Sequence, residues 1–377
     1  MHFVGKHLPD VVATIVGMLL LWIVTGRVRN HIAQTTILWT GWGLLGAGLL
    51  LRSMWIASLL PLPVTDTLRL SSFLTLVLTF AVSCVVGIYR LVPKPKSYHS
   101  PSRRKLLGAA RAAVVASPVI ATGYGVFVQR DNFRLKHVKV PIPGLAPGLN
   151  GLRIVQVSDI HLSPFLSERE LERAIDMANE TRAHIGVMTG DLITGYRDPL
   201  DACIRQVARL RTDAGVLGCL GNHETYAQVE RYTAEQAARY GVRFLRQQSE
   251  VIEFGGNPVN FAGIDYQPMH SDYLKGGEQL ARPGMLNVLL SHNPDVFRVA
   301  PGKGFDLTLS GHTHGGQITF EILHQNVSIA RFYTPYVYGH YRQGNASAYV
   351  TRGIGTVGVP ARIGAPPEVA LIELCAT

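Results

Sequence analysis

Five short apolar runs between residues 152 and 309 each end in polar side chains that can bind a metal ion. The runs cover 152–157, 184–188, 216–220, 285–290 and 306–309, and helical periods follow the first three. Runs of this length that alternate with helical periods are typical of buried strands joined by helices. This rhythm predicts an α/β domain that begins at about Leu152.

The pattern changes after Gly241, where the apolar runs become shorter and lie closer together. Turn residues follow at Gly255-Gly256-Asn257 and at Gly315-Gly316. Closely spaced strands with glycine-containing turns are typical of hairpins. We therefore predict a second sheet that is largely antiparallel.

The polar residues after the five runs form one candidate site. They are Asp159 and His161, Asp191, Asn222 and His223, His292, and His312 and His314. Each residue alone has an ordinary structural explanation, as a helix cap, a turn residue or a packed histidine. However, loops at the carboxyl ends of strands in an α/β sheet converge on one crevice, so we expect these side chains to meet. A mixed set of nitrogen and oxygen donors without cysteine suits Mn, Fe or Zn and disfavours a purely structural zinc site.

The ordered motifs D-x-H, G-D, G-N-H-E, H and G-H-x-H-G-G-Q resemble those of the calcineurin-like metallophosphoesterase family over residues 152–317. The tail, with T-R-G-I-G at 351–355 and G-A-P-P-E at 364–368, resembles the bacterial membrane-associated branch of that family. The resemblance implies a hydrolase of phosphoric esters. It also implies a four-layer αββα sandwich for residues 152–377.

The resemblance further implies two divalent metal ions and a set of ligands for each. The first ion would be held by Asp159, His161, Asp191 and His314, and the second by Asp191, Asn222, His292 and His312. A bridging carboxylate at Asp191 would screen two cations that lie about 3.5–4 Å apart. A hydroxide shared by the ions would attack phosphorus, while His223, which is not a ligand, would protonate the departing oxygen or stabilise the transition state. No residue is assigned to an organic cofactor.

The first third of the chain has a different composition. Residues 1–130 contain no Glu and only two Asp against thirteen Lys and Arg. Apolar stretches at 11–25, 37–60 and 70–92 predict transmembrane helices, and a weaker stretch at 106–128 is either a fourth helix, a signal-type region or a buried helix. We therefore predict a membrane region of three to four helices over 1–130 and a linker rich in Pro and Gly over 131–151, before the catalytic domain at 152–377.

The positive charges of this region predict its orientation. Residues 90–105 form its most basic loop, which by the positive-inside rule faces the cytoplasm. The catalytic domain is then expected on the outer face of a bacterial cell membrane. The run S-R-R-K-L-L at 102–107 is either a twin-arginine export signal or ordinary positive-inside charge, and both interpretations give the same orientation. Because the basic residues flank apolar runs, we expect no nucleic-acid partner.

The function that we predict is a membrane-anchored phosphodiesterase or pyrophosphatase, with a lipid-linked or envelope substrate suggested by the membrane region. One alternative is a phosphomonoesterase or nucleotidase that uses the same site. A second, of a different class, is a non-catalytic metal-binding scaffold or sensor, for which the loss of a ligand would be the expected mark. A third, transport, would require paired intramembrane charges or broken helices, and only Arg52 suggests it.

Overall fold

The structure, a computed structural model, describes residues 2–26, 28, 30–50, 64, 68, 71–72, 75–76, 79–86, 101–269, 271–322, 325–358 and 360–377. The chain divides into two compact units, Met1–Tyr124 and Gly125–Thr377. Each unit is described by itself.

The first unit is helical. The helices of its described part include α1 (His2–Thr25), α2 (His31–Leu50) and α3 (Pro101–Phe127), the last of which continues into the second unit, and residues 79–86 are also helical. Helices α1 and α2 pack together, and the Trp42 indole donates a hydrogen bond to the carbonyl of Met18 over 3.1 Å. Asn30 begins α2 by accepting a hydrogen bond from the backbone N–H of Ala33.

None of the helices in the described part of the chain combines the length and the apolarity that crossing a membrane requires. The predicted membrane-spanning helices therefore gain no support from these residues. Much of the predicted segment at 70–92, and residues 51–60 of the segment at 37–60, lie outside the described residues.

The second unit contains two six-stranded sheets. The first sheet has the strand order β1-β14-β2-β3-β4-β5. Its strands are β1 (Arg134–Ile142), β2 (Arg153–Val157), β3 (Ile185–Thr189), β4 (Val216–Cys219), β5 (Val242–Phe244) and β14 (Glu368–Ala376). Strands β2, β3 and β4 are parallel, as their apolar runs predict, and β14 returns antiparallel to β2. Strand β5 follows Gly241 and was expected in the second sheet, but it pairs parallel with β4. Four helices accompany this sheet: α4 (Glu168–Glu180), α5 (Leu200–Val207), α6 (Asn222–Ala227) and α7 (Glu230–Arg239).

The second sheet has the order β12-β13-β9-β8-β7-β6. Its strands are β6 (Gln248–Phe254), β7 (Asn257–Gly263), β8 (Leu286–Leu290), β9 (Leu307–Ser310), β12 (Gly339–Gln343) and β13 (Ala346–Val350). A separate hairpin consists of β10 (Thr319–Ile322) and β11 (Gln325–Ser328).

The prediction of a largely antiparallel second sheet is wrong. Its four central strands, β7, β8, β9 and β13, run parallel, and only the pairs at its two edges are antiparallel. The close spacing of the apolar runs suggested hairpins. However, the connections between β7, β8 and β9 are crossovers built from short 3-10 helices at Glu278–Leu280, Pro294–Arg298 and Pro301–Lys303.

The two sheets pack face to face around an apolar core that includes Ile154, Leu217, Phe261 and Val288. A second core fills the space between the first sheet and its helices. This mixed α/β sandwich confirms the predicted fold class. The outer layer over the second sheet, within the described residues, consists of 3-10 helices instead of the α-helices that a full αββα arrangement implies.

Helix α4 shows how local sequence sets the fold around the site. Ser167 and Glu170 form the capping box that their spacing predicts, with the Ser167 N–H donating to Glu170 Oε2 over 2.6 Å. The apolar stripe of the helix, which includes Leu171 and Ile175, is fully buried against the first sheet. This packing fixes the long connection between β2 and β3, which begins with two of the predicted site residues.

Candidate metal centre

All eight residues of the candidate site follow the carboxyl ends of five strands, in the loops there or, for Asn222 and His223, in the first turn of α6. These loops follow β2, β3 and β4 in the first sheet and β8 and β9 in the second. Hydrogen bonds between the loops hold them together: Asp159 N–H donates to the Gly190 carbonyl, and His312 N–H donates to Asp159 Oδ1 over 2.8 Å. The crevice therefore lies where the ends of both sheets meet.

One cluster in this crevice consists of Asp159, His161 and His314, all of them buried. The two imidazole Nε2 atoms are 3.1 Å apart, and His314 Nε2 is 3.4 Å from Asp159 Oδ1. Asp159 Oδ2 is also buried and has no hydrogen-bond partner among the described residues. Buried carboxylate oxygens are rarely left without a partner, so a cation is the simplest group to satisfy it.

A second cluster contains Asp191, Asn222, His292 and His312. His292 Nε2 lies 3.0 Å from Asp191 Oδ2, 3.0 Å from Asn222 Oδ1 and 3.1 Å from His312 Nδ1. Asp191 also faces the first cluster, since its Oδ2 is 3.5 Å from His161 Nε2. One carboxylate thus lies between two groups of donor atoms.

The tautomer of His292 indicates what belongs between these atoms. Its Nδ1 is 2.6 Å from the carbonyl oxygen of Thr189, which can only accept, so Nδ1 carries a hydrogen. In neutral His292 the other ring nitrogen, Nε2, then carries no hydrogen, and its lone pair points at the oxygens of Asp191 and Asn222. Acceptors that face each other in a buried site require a proton or a metal ion between them. The residues present therefore fit a bound cation.

Burial sets the protonation of most of the histidines. It lowers the pKa of His161 and of His312 to about 3, and nearby histidine charges add to the effect. Burial also lowers the pKa of His314 well below its usual value. These three imidazoles are neutral near pH 7, which is the form that binds metals.

The two carboxylates of the site behave differently. Burial raises the pKa of Asp159 to about 6, although the charge on His292 partly opposes the rise. Burial acts the same way on Asp191, but there the charges of His292, His223 and His161, together with the hydrogen bond to His292, outweigh it and hold the pKa of Asp191 well below its usual value. Asp191 is therefore ionised across the whole neutral range.

Five of the site residues have a left-handed backbone that non-glycine residues seldom adopt. Their φ angles are 50° for Asp159, 49° for His161, 57° for Asp191, 74° for His312 and 52° for His314. Such conformations cost about 1–3 kcal/mol each and persist only where the surrounding structure imposes them. Their concentration at one crevice is an independent sign of a functional site.

Glu224 is a residue of the site to which the sequence analysis assigns no role. Its buried carboxylate accepts hydrogen bonds from the backbone N–H groups of Asp191, Leu192 and Gly221 over 3.0, 2.7 and 2.7 Å. It therefore ties the loop after β3 to the loop after β4. The sequence feature that could have indicated its role is its position directly after His223 in the G-N-H-E motif.

Arg362 is a second such residue, and it is fully buried. Its guanidinium donates to the backbone carbonyls of Gly355, Arg352 and Ala365, and one nitrogen lies 3.4 Å from His314 Nδ1. Burial lowers its pKa to about 9. Arg362 thus fixes the loop at 352–355 beside the first cluster, and no motif in the sequence pointed to it.

Gly221 provides a test of how closely the loops approach. A Cβ atom at Gly221 would clash with Asp191 Oδ1 and with the backbone nitrogen of Asp191. We expect Gly221→Ala to lower the free energy of unfolding by about 1–3 kcal/mol, the usual cost of overpacking. Chemical denaturation measures this loss. Gly302→Ala is the matched control, because no atom lies within 4 Å of the added methyl group, and equal stability of the two variants would contradict the expectation.

Comparison with known proteins places this site in a family. Residues 152–316 match the model for the calcineurin-like phosphoesterases. A transmembrane protein with metallophosphoesterase domain from Danio rerio is 28% identical over 310 residues, which cover 78% of this chain and 69% of that protein. The uncharacterized metallophosphoesterase YkuE from Bacillus subtilis is 26% identical over 283 residues, 73% of this chain and 98% of its own.

An uncharacterized metallophosphoesterase from Aquifex aeolicus is 30% identical over 233 residues, 59% of this chain and 85% of its own. The residues that match the family model include all eight residues of the candidate site. The chain therefore belongs to the calcineurin-like metallophosphoesterase family and is a hydrolase of phosphoric ester bonds.

Proposed function

We propose that this chain is a membrane-anchored phosphoesterase that uses two divalent ions, Mn, Fe or Zn, to hydrolyse a phosphodiester or pyrophosphate bond. The observation that carries the proposal is the arrangement around Asp191, whose Oδ2 lies 3.0 Å from one histidine nitrogen and 3.5 Å from another. Nitrogen and oxygen donors surround it on both sides, which is the donor set that such ions prefer.

The proposed ligands follow the two clusters. One ion would be held by Asp159, His161, Asp191 and His314, and the other by Asp191, Asn222, His292 and His312. Divalent ions bound there would lower the pKa of a water molecule and neutralise charge on the phosphoryl oxygens. Glu224 supports this arrangement, because its hydrogen bond to the N–H of Asp191 orients the shared carboxylate.

His223 is proposed to give a proton to the departing oxygen. Its Nδ1 is 2.5 Å from the carbonyl oxygen of Thr194, so the Nδ1–H donates there and the ring is fixed. Its Nε2 is left free to hold a proton for the leaving group. The ring packs edge-on against His161, with centroids 4.7 Å apart, and this places it at the border of the crevice.

Membrane anchoring and an outward-facing catalytic domain are also part of the proposal. Two features of the sequence support them: the apolar segments at 11–25, 37–60 and 70–92, and the basic loop at 90–105. The Danio rerio relative, which is described as a transmembrane protein, supports the anchoring as well. An enzyme fixed to a membrane fits a lipid-linked or envelope substrate.

A reporter fused after Thr377 should score as external, and a cytoplasmic score would overturn the orientation.

The activity test uses the full chain purified in detergent. We expect it to hydrolyse a chromogenic phosphodiester after loading with Mn, Fe or Zn, and to lose this activity when the ions are removed by a chelator. A phosphomonoester measured in parallel identifies the alternative, a phosphomonoesterase or nucleotidase. If no metal supports turnover of either substrate while two ions per chain are bound, the non-catalytic scaffold replaces the enzyme as the better interpretation.

Metal binding should also release a proton from His292. Burial opposes protonation of this residue, but the charge of Asp191 and its hydrogen bond outweigh burial and raise the pKa of His292 to about 9 in the metal-free protein. Because this pKa is higher than the value near 6.5 of the unfolded chain, the proton stabilises the metal-free fold fully below about pH 6.5. That contribution is lost as the pH rises to about 9.

The same proton competes with the metal, so the apparent metal affinity should rise as the pH is raised from 7 towards 9. Titration calorimetry in two buffers with different ionisation enthalpies should detect about one proton released per chain at pH 7.5. A heat that is identical in both buffers, after correction for dilution, would contradict this expectation. A zinc-loaded sample titrated with more zinc is the control.

A further inference from the structure

The tail of the chain brings a positively charged side chain to the edge of the metal centre. Arg352 belongs to the T-R-G-I-G motif, and the next residue, Gly353, lies so close to the first cluster that a Cβ there would come within 2.5 Å of Asp159 Cβ. On its other side, the Arg352 stem lies against the turn after His314, since a Cβ at Gly315 would be 2.6 Å from Arg352 Cγ. Two proposed metal ligands are therefore close to Arg352: Asp159, which adjoins the next residue, Gly353, and His314, which precedes the glycine that the Arg352 stem adjoins.

The Arg352 guanidinium is held by an aromatic ring and not by a carboxylate. Its Cζ lies 3.8 Å from the centroid of the Tyr338 ring, a cation–π contact. Glu368 is near, but its Oε1 accepts from the backbone N–H of Arg352 over 3.3 Å and from the hydroxyl groups of Tyr349 and Thr351. Glu368 therefore bonds to the backbone of Arg352, and among the described residues it forms no ion pair with the Arg352 side chain.

The Arg352 guanidinium also forms no hydrogen bond to another described residue. Its Nε is buried and has no partner among the described residues, and no described carboxylate forms an ion pair with it. Arg362, ten residues later, differs in that its guanidinium donates to several backbone carbonyls. A partly buried guanidinium without an acceptor is costly, and a planar oxyanion such as a phosphate satisfies it with two parallel hydrogen bonds.

We propose that Arg352 binds a second phosphate of the substrate, adjacent to the phosphorus that is attacked. The substrate class is then a diphosphate, in which the bond hydrolysed joins two phosphates, and not a diester with an uncharged leaving group. Water adds to one phosphorus and the bridging oxygen leaves with the other, so that two phosphate monoesters are formed. This inference rests on the proposed function and narrows it to the pyrophosphatase reaction.

The first experiment compares two substrates on the full chain in detergent, loaded with Mn. UDP-glucose has two linked phosphates, whereas bis(p-nitrophenyl) phosphate has one. We expect Arg352→Gln to raise KM for UDP-glucose about 10- to 100-fold, as the loss of charge-assisted hydrogen bonds implies, and to change kcat/KM for the diester less than about 3-fold. Arg352→Lys, which keeps the charge but not the planar fork, should recover part of the loss.

The second experiment measures binding without turnover. Calorimetry should give a tighter Kd for α,β-methylene-ADP than for AMP in the wild-type chain, and Arg352→Gln should reduce this preference about 10-fold or more. Arg342→Gln, an exposed arginine on β12, is the matched control and should leave the preference unchanged. Metal content is measured for every variant, because Arg352 also packs against the turn after His314.

Two results would overturn the inference. An equal loss on both substrates with a lowered metal content would make Arg352 a residue that only positions the metal turn. An unchanged preference for the diphosphate analogue in Arg352→Gln would show that another group binds the second phosphate. Because the calorimetry needs no hydrolysis, a wild-type chain that turns over neither substrate would count against the proposed function alone.

Discussion

Asparagine in place of Asp191 is expected to lower kcat/KM for a phosphodiester by about 10³-fold or more, which corresponds to ~4 kcal/mol of lost transition-state stabilisation. The substitution keeps the size of the side chain and removes its charge. The loss should appear in metal content as well, with less than the full two ions bound per chain after dialysis.

The position of Asp191 explains why the effect should be so large. Its Oδ2 faces His161 and His292, while its Oδ1 accepts from the backbone N–H of His223 over 2.9 Å. An amide at this position would place an NH₂ group or a neutral oxygen between two cations, so the screening of their mutual repulsion would be lost. The hydrogen bond that orients His223 would be weakened at the same time.

The measurement combines elemental analysis of the purified variant with steady-state kinetics at several metal concentrations. Asp306→Asn is the control, since Asp306 precedes β9 at the opposite end of the second sheet and accepts from the N–H of Asn287. The control should bind metal and turn over substrate like the wild type. An Asp191→Asn variant with two tightly bound ions and normal turnover would refute the bridging role.

The convergence of the site could be predicted from sequence because it follows from a general rule of sheet topology. Strands β2, β3 and β4 are short buried runs, and parallel strands direct the loops after them to one edge. The positions of Asp159, Asp191 and Asn222 then follow directly. The ends of these strands can be read from the sequence because a strand that is buried on both faces of the sheet is a continuous apolar run, and the run stops at the first polar residue after the strand.

The direction of the strands in the second sheet could not be predicted in the same way. The connections at 264–285 and 291–306 join parallel strands, but their described residues form short 3-10 helices, turns and irregular chain in place of the long amphipathic helix that normally signals a crossover. A 3-10 helix of three to five residues leaves no periodic pattern. The same limitation explains why the outer layer over this sheet was expected to be α-helical.

The supporting residues of the site were missed for a different reason. Glu224 and Arg362 bond to backbone groups, and any residue type can supply a backbone N–H or carbonyl. The contacts that join them to the site are distant in sequence and leave no trace in it: Glu224 bonds to the N–H of Asp191, and Arg362 lies beside His314. The left-handed backbone of Asp159 and His312 is likewise imposed by the packed loops and not by their own conformational preference.

Alanine in place of His223 is expected to lower kcat by about 10²- to 10⁴-fold, the usual contribution of a positioned proton donor. Both metal ions should remain bound, because His223 is held by the Thr194 carbonyl and is not among the proposed ligands. This combination separates His223 from Asp191, whose replacement should reduce both turnover and metal content.

The leaving group provides the sharper test of the His223 role. A proton donor helps a poor leaving group more than a good one, so the loss in His223→Ala should be larger for an alkyl phosphodiester than for a p-nitrophenyl phosphodiester. Loss of a metal ligand would instead slow both reactions to a similar extent, since the ions act on the phosphoryl oxygens that the two substrates share. His137→Ala, an exposed histidine on β1, should leave both rates unchanged. Equal losses on the two substrates would contradict the role of His223 as the proton donor. They would instead indicate that His223 binds a metal ion together with His161 and Asp191, since the possible ligand atoms of these three residues all lie within 4.8 Å of one another.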